Sequence, residues 1–316
     1  MMKYSFFQKI FCTALFLFLH LFLCACAGEL TRTAFTVQLD HLAEEHENIK
    51  LVFFTDLHLR KETINDPIFD ELVEKVNKEN AHFILIGGDL VDRTVKDYMS
   101  VYTGRIVEYL KRFRSQAGII LVGGNHENVA GKNLLAEELK KNSFIFLDDE
   151  FYFPLIGKKK LCFYGKNDPI TPKRQKGKKF IPPPWEYYHL PTEKLLNRKN
   201  FLPAKAPLIV LSHRPELFDF LPEKENIFLL SGHYHGGIIF LPFLPEGYFL
   251  ARQQKRKYPK RPPLKYVYGK YTEGKKLLYV SSGVSGGDHS ALRINVPREY
   301  VVITLTGRRE GEKNGK

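Results

Sequence analysis

The sequence predicts an α/β fold, with a largely parallel sheet in its first half and a second, mixed sheet after it. Short apolar, β-rich runs alternate with amphipathic helical patterns through residue 142, and that alternation marks βαβ units. The runs are nearly continuous in their apolar character, as strands buried on both faces read. Beyond residue 160 strand-like runs follow one another without clear helices between them, which calls for a second sheet.

In chain order the strand-like runs are KLVFFTDLH (50–58), HFILIGGDL (82–90), GIILVGGNHE (118–127), KLCFYGKND (160–168), PLIVLSHRP (207–215), IFLLSGHYHGG (227–237), KLLYVSSGVSGG (276–287) and EYVVITL (299–305). Most end in polar or glycine-containing turns. Helical patterns lie between the early ones at 66–80, 102–113 and 132–142.

Outside this core the chain divides readily. Residues 10–28, IFCTALFLFLHLFLCACAG, form an apolar run behind Lys3 and Lys9, the layout of a secretory signal or an N-terminal membrane anchor. LCAC (23–26) also resembles a lipoprotein processing box with Cys26 as the acylated residue. Residues 29–49 read as a linker, 50–307 as the folded domain and 308–316 as a basic tail. Two insertions rich in proline, aromatic and basic residues interrupt the domain near 171–191 and 240–269. Cys162 is the one thiol outside the N-terminal segment, so no disulfide forms within the domain, and its apolar surroundings make it a core residue.

The net charge is +13, with its sources clustered at 157–160, 172–179 and 252–265. Together these patches suit an anionic partner: phospholipid, nucleic acid or a phosphorylated small molecule. Each taken alone reads as a solvated lysine-rich loop.

The chemistry gathers at the strand ends. Gly232-His233-Tyr234-His235 closes one apolar strand, and in an extended chain His233 and His235 point to the same face. The glycines that follow leave room beside them. Other strands close on Asp56 and His58, on Asp89 with Asp92 beyond, on Asn125, His126 and Glu127, and on His213. In open α/β sheets the carboxyl ends of the strands form the functional crevice, so these groups converge on one rim. Imidazole and oxygen ligands without thiolates suit Mn, Fe, Zn or related divalent ions. The ligands outnumber the needs of one ion, and Asp89 is the natural carboxylate to bridge two. A two-ion site of that kind stabilises both the entering and the leaving oxygens at phosphorus.

The ordered blocks Asp56-x-His58, Gly88-Asp89-x-x-Asp92, Gly124-Asn125-His126-Glu127, His213 and Gly232-His233-x-His235 resemble the calcineurin-like metallophosphoesterases across roughly residues 50–305. The resemblance implies a four-layer α/β/β/α sandwich of two mixed sheets and two divalent metal ions, Mn first among the candidates, with Fe or Zn as alternatives. It implies Asp56, His58, Asp89 and His235 at the first ion, and Asp89, Asn125, His213 and His233 at the second. His126 matches the group that protonates the leaving group or steadies the phosphate, and Asp92 matches an outer carboxylate. Glu127 stands where the family often has Asp; the carboxylate reads either as part of the site or as a solvated loop residue. Arg60 stands where glycine is frequent and adds a cation at the rim that bears on substrate choice.

LSGHYHGG with LPF, LLYVSSG and a late arginine is similar to a membrane-associated bacterial subgroup whose members include a UDP-2,3-diacylglucosamine pyrophosphatase of lipid A synthesis. The expectation is therefore a lipid-linked nucleotide diphosphate substrate, split to UMP and 2,3-diacylglucosamine 1-phosphate, at a membrane surface on the cytoplasmic face of the inner membrane. Trp185 and Tyr248, in the two insertions, are candidates for contact with acyl chains or headgroups; covering a hydrophobic edge of the sandwich is their other reading. Lys3 and Lys9 ahead of the apolar run argue for a domain outside the membrane, which fits an exported or lipoprotein form acting on other envelope phosphoesters. Nucleic acid is disfavoured as substrate by the membrane segment. A non-catalytic interaction module on the same fold predicts missing ligands, and none is missing.

Overall fold

The computed structural model describes residues 29–92, 99–169, 206–240, 264–285 and 293–308. The apolar run 10–28, the insertion at 171–191, Trp185, Tyr248 and the tail from 309 lie outside the described residues. In chain order the strands are β1 (Leu30–Leu39), β2 (Lys50–Phe54), β3 (Phe83–Ile86), β4 (Gly118–Val122), β5 (Ile145–Leu147), β6 (Glu150–Tyr152), β7 (Leu155–Ile156), β8 (Lys159–Lys160), β9 (Phe163–Lys166), β10 (Leu208–Ser212), β11 (Ile227–Ser231), β12 (Gly269–Glu273), β13 (Lys276–Val280) and β14 (Arg298–Gly307). The helices are α1 (Pro67–Lys78), α2 (Met99–Leu110), α3 (Asn125–Ala130) and α4 (Lys132–Lys141).

Two mixed six-stranded sheets form, in the orders β1-β14-β2-β3-β4-β5 and β12-β13-β11-β10-β9-β6. Strands β2 to β5 run parallel to one another, as do β9, β10, β11 and β13. The sequence of β2 shows why its run reads as unbroken. Leu51 and Phe53 face the second sheet and pack with Ile209, Leu211 and Leu230, while Val52 and Phe54 face the helices. On that outer side Leu72 and Val76 of α1, Ile106 of α2 and Leu139 of α4 close the core. Each such side chain, fully buried, contributes roughly 1.5–3 kcal/mol. On the far face of the second sheet, Val210 and Leu229 lie beneath Leu217 and Phe218 of the 3-10 turn Pro215–Phe220. Tyr266, at the end of the second insertion, stacks edge-on against Phe218 at 5.4 Å. Cys162 is buried in the core.

The start of α1 follows capping chemistry. Asp66 accepts a hydrogen bond from the Ile68 amide at 3.0 Å, with Pro67 in the first helical position. No helix among the described residues is long and apolar enough to cross a membrane.

One expectation is corrected. The stretch 29–49, read as a linker, supplies β1, which pairs in parallel with β14 along its whole length from Leu30↔Arg298 to Leu39↔Gly307. As an edge strand it keeps Thr31 and Arg32 exposed and buries only one face, so it lacks the continuous apolar run that marks the inner strands. Among the described residues its partner strand is β14, at the other end of the chain.

Candidate metal centre

The segments after β2 and β3 are zipped together. The Asp56 amide donates to Gly88 O at 3.0 Å, and the His58 amide to Asp89 O at 2.9 Å. The segments after β10 and β11 meet them from the second sheet: His213 Nδ1 bonds Gly87 O at 2.9 Å, and the His233 amide donates to Asp56 Oδ2 at 3.1 Å. Five side chains of this centre are carried by left-handed backbone, with φ of 57° at Asp56, 47° at His58, 49° at Asp89, 74° at His233 and 48° at His235. A non-glycine residue there costs on the order of 1–3 kcal/mol, and such strain persists where a site imposes it.

This corrects the strand geometry expected for the paired histidines. β11 ends at Ser231, and His233 and His235 lie beyond it in a turn. Their left-handed φ values send them to neighbouring positions, His235 beside Asp56 and His233 beside His213.

The ligand atoms form three overlapping clusters: Asp56, His58 and His235; His58, Asp89 and His126; Asp89, His213 and His233. Asp56 Oδ1 lies 3.7 Å from both His58 Nε2 and His235 Nε2. Asp89 Oδ2 is central, 3.1 Å from His213 Nε2, 3.7 Å from His58 Nε2 and 3.9 Å from His126 Nε2. His233 Nδ1 stands 3.2 Å from His213 Nε2. In each carboxylate one oxygen is held by a backbone amide and the other faces imidazoles; Asp89 Oδ1 accepts from the His126 amide at 2.9 Å.

The arrangement fits metal ions. Asp56 Oδ1 and both ring nitrogens of His58 are buried without a hydrogen-bond partner. Such orphaned groups are costly unless something else satisfies them, and nitrogen–oxygen sets of this kind do so by binding a divalent ion. His235 Nδ1 bonds Ser285 O at 3.1 Å and His213 Nδ1 bonds Gly87 O. These contacts place the ring protons on the far nitrogens and leave each Nε2 to ligate. Two glycines make room: a Cβ on Gly124 would fall 2.2 Å from Asp89 Oδ1, and one on Gly232 2.4 Å from Asp56 Oδ2.

Electrostatics prepare the same donors. Burial raises the Asp56 carboxyl, but His235, His58 and His213 more than offset it and bring it down to about 2. Asp89 is likewise held well below the usual range, burial being outweighed by His213, His126 and His58. Burial lowers His235 to about 4. It also lowers His233, with Arg214 and His213 adding to the effect, and it lowers His126. These imidazoles are therefore neutral near pH 7, the form that ligates. Two imidazoles go the other way: burial lowers His58, but the Asp56 carboxylate and the Asp89 charge raise it overall, and Asp89 and Asp56 overcome the burial of His213 and push it up to about 10.

The other expected residues stand as follows. Asn125 opens α3, and its Oδ1 accepts from Arg214 Nη2 at 3.2 Å, beside His233. His126 is at the mouth, its side chain 12% exposed and its ring edge-on to His58 with centroids 4.4 Å apart. Asp92 is fully buried and bonded by Arg60 at 2.8 Å, so the rim cation and the outer carboxylate form one unit. Glu127 is not a solvated loop carboxylate. It is buried and accepts from the amides of Asp89, Val91 and Gly124 at 3.0, 2.9 and 2.6 Å, tying the turn after β3 to the start of α3. Burial pushes its carboxyl up to about 7, against the pull of those amides.

Three residues were not singled out in the sequence. Arg214, next to His213, is buried, donates to Asp168 Oδ2 at 2.8 Å and to Asn125 Oδ1, and lies against His233 Nε2. Asp168 closes the KLCFYGKND strand, where the rule that singled out the other strand-end residues also applies. Arg293 braces the opposite side, donating to Ser282 O at 2.8 Å and to Ser285 O, the carbonyl that holds His235.

Two adjacent sets of candidate ligands that share one carboxylate have the arrangement of a dinuclear metal centre. Divalent ions there supply Lewis-acid polarisation of a phosphoryl group and activation of a nucleophile. Residues 49–237 match the calcineurin-like phosphoesterase family, and the chain belongs to it. It is 29% identical over 266 residues to a metallophosphoesterase of Campylobacter jejuni, covering 83% of this chain and 60% of that protein. It is 30% identical over 271 residues to one of Helicobacter pylori, covering 85% and 62%, so the chain spans about three-fifths of the length of these relatives. The phosphodiesterase YaeI of Escherichia coli is 24% identical over 259 residues, with 81% of this chain and 82% of that protein covered.

Proposed function

We propose that the protein hydrolyses a phosphodiester or diphosphate bond in a lipid-linked substrate of the bacterial envelope. The specific substrate proposed is UDP-2,3-diacylglucosamine, released as UMP and 2,3-diacylglucosamine 1-phosphate, with Mn as the metal. The observation that carries the reaction class is Asp89 Oδ2 facing imidazoles of both ligand sets. Asp56, His58, Asp89 and His235 would hold one ion, and Asp89, Asn125, His213 and His233 the other. His126, neutral and at the mouth, retains one ring N–H to donate to a phosphoryl or leaving-group oxygen. Arg60, anchored by Asp92, adds positive charge beside that oxygen. The apolar run 10–28 and the basic clusters support a membrane-bound, anionic substrate.

A second reading, a phosphodiesterase of other envelope phosphoesters, is favoured by the Escherichia coli phosphodiesterase, of which 82% is covered. Both are tested by UMP release from UDP-2,3-diacylglucosamine in detergent micelles with Mn, comparing the native chain with His126→Ala. Release that the variant loses supports the first reading. Turnover of an aryl phosphodiester without UMP release assigns the second. Absence of both, with metal bound, overturns the hydrolytic assignment.

A further inference from the structure

We propose that the metal centre faces the lipid surface, so that the enzyme takes phosphoesters presented at headgroup level in a bilayer. The substrate part of this rests on the hydrolase reading above; the orientation does not.

The register of the first sheet carries the argument. β14 runs antiparallel to β2 with Val301 opposite Phe53, so its continuation brings Arg298 level with Asp56. The Glu299 amide donates to Gly283 O at 3.1 Å, and the Ser285 amide to Asp56 O at 2.9 Å. Leu30 pairs with Arg298. The first residue of β1 therefore stands at the same end of the sandwich as the ligands, two to three strand spacings away, roughly 10–15 Å. Only Glu29 separates Leu30 from the apolar run 10–28, and one residue spans at most about 3.6 Å. If that run is in lipid, so short a leash holds the ligand end of the domain against the bilayer surface. An anchor leaving the opposite end of β1 would turn the centre away.

The exposed apolar side chains agree. Val101 and Leu134 are 77% and 41% exposed, in the first turns of α2 and α4. α2 follows the segment carrying Asp89 and Asp92, and α4 follows α3, whose first residues are Asn125 and His126. Both turns are thus at the ligand end. The mouth opens there too, through the partly exposed side chains of His126, His235 and Arg60. Leu155, 65% exposed, marks the opposite end: its hairpin packs beside Glu45 and His46, ahead of β2.

The test uses the full chain, Mn-loaded, in vesicles of phosphatidylglycerol and brominated phosphatidylcholine. A fluorescent non-natural amino acid replaces Val101 in one protein and Leu155 in another. The expected result is loss of emission at 101 with none at 155. Quenching at both, at 155 alone or at neither overturns the orientation. In the same vesicles a lipid-anchored p-nitrophenyl phosphodiester is compared with soluble bis-p-nitrophenyl phosphate. Faster turnover of the anchored probe is expected, and turnover of the soluble one alone overturns the substrate class. Turnover of neither overturns the hydrolase reading and leaves the quenching to decide the orientation.

Discussion

Arg214→Ala tests how the second ligand set is held. The guanidinium joins Asp168, Asn125 and His233, and the Asp168 side chain is fully buried. Its removal takes a bonded cation from this buried carboxylate, a loss of about 3–5 kcal/mol. Asn125 also loses the donor that orients its Oδ1, so the ion it would share with His213 should bind less tightly while the Asp56 set is retained. Urea unfolding of the metal-free protein in EDTA measures the first effect, and metal content after dialysis the second. Adding Asp168→Asn removes the stranded charge, and the two sites should couple by about 1–3 kcal/mol. A single-variant loss below about 1 kcal/mol, or additive effects in the double variant, would refute the reasoning.

Asp89→Ala should abolish turnover and bound metal while leaving the far-ultraviolet spectrum intact, because the sheets and not this carboxylate hold the fold; near-native rates would sink the shared-ligand assignment. His213, up to about 10 without metal, carries its proton below that pH, so filling the second position near pH 7.5 must release it. Apparent affinity should then weaken about tenfold per unit of falling pH, and calorimetry in buffers of different ionisation enthalpy should detect the proton; no net release contradicts this. Gly124→Ala should displace Asp89 and lower metal content. By contrast Gly104→Ala on α2, where a Cβ meets nothing within 4 Å, should stabilise the protein by about 0.5–1 kcal/mol, and a loss of stability at 104 would contradict it.

Much of this was legible in the chain. The inner strands lie between two cores, so both faces had to be apolar and the runs announced themselves; α1, α2 and α4 fall within three residues of the predicted spans. Ligand residues were legible because each closes such a run. β1 was not, since an edge strand buries one face and its partner β14 is remote in sequence. Glu127 could not be placed either, because its role depends on amides delivered by the turn after β3.

By itself, then, the sequence determined the α/β class, the inner strands of both sheets and the strand-end positions of the candidate ligands, because burial and periodicity are local patterns. Only the tertiary structure decided which ligands share Asp89, that His233 and His235 diverge through left-handed backbone, that Arg214 and Asp168 brace them, and that β1 begins at the ligand end. Those features depend on where one sheet meets the other and on what neutralises a charge once it is buried, and neither is encoded in the spacing of residues along the chain.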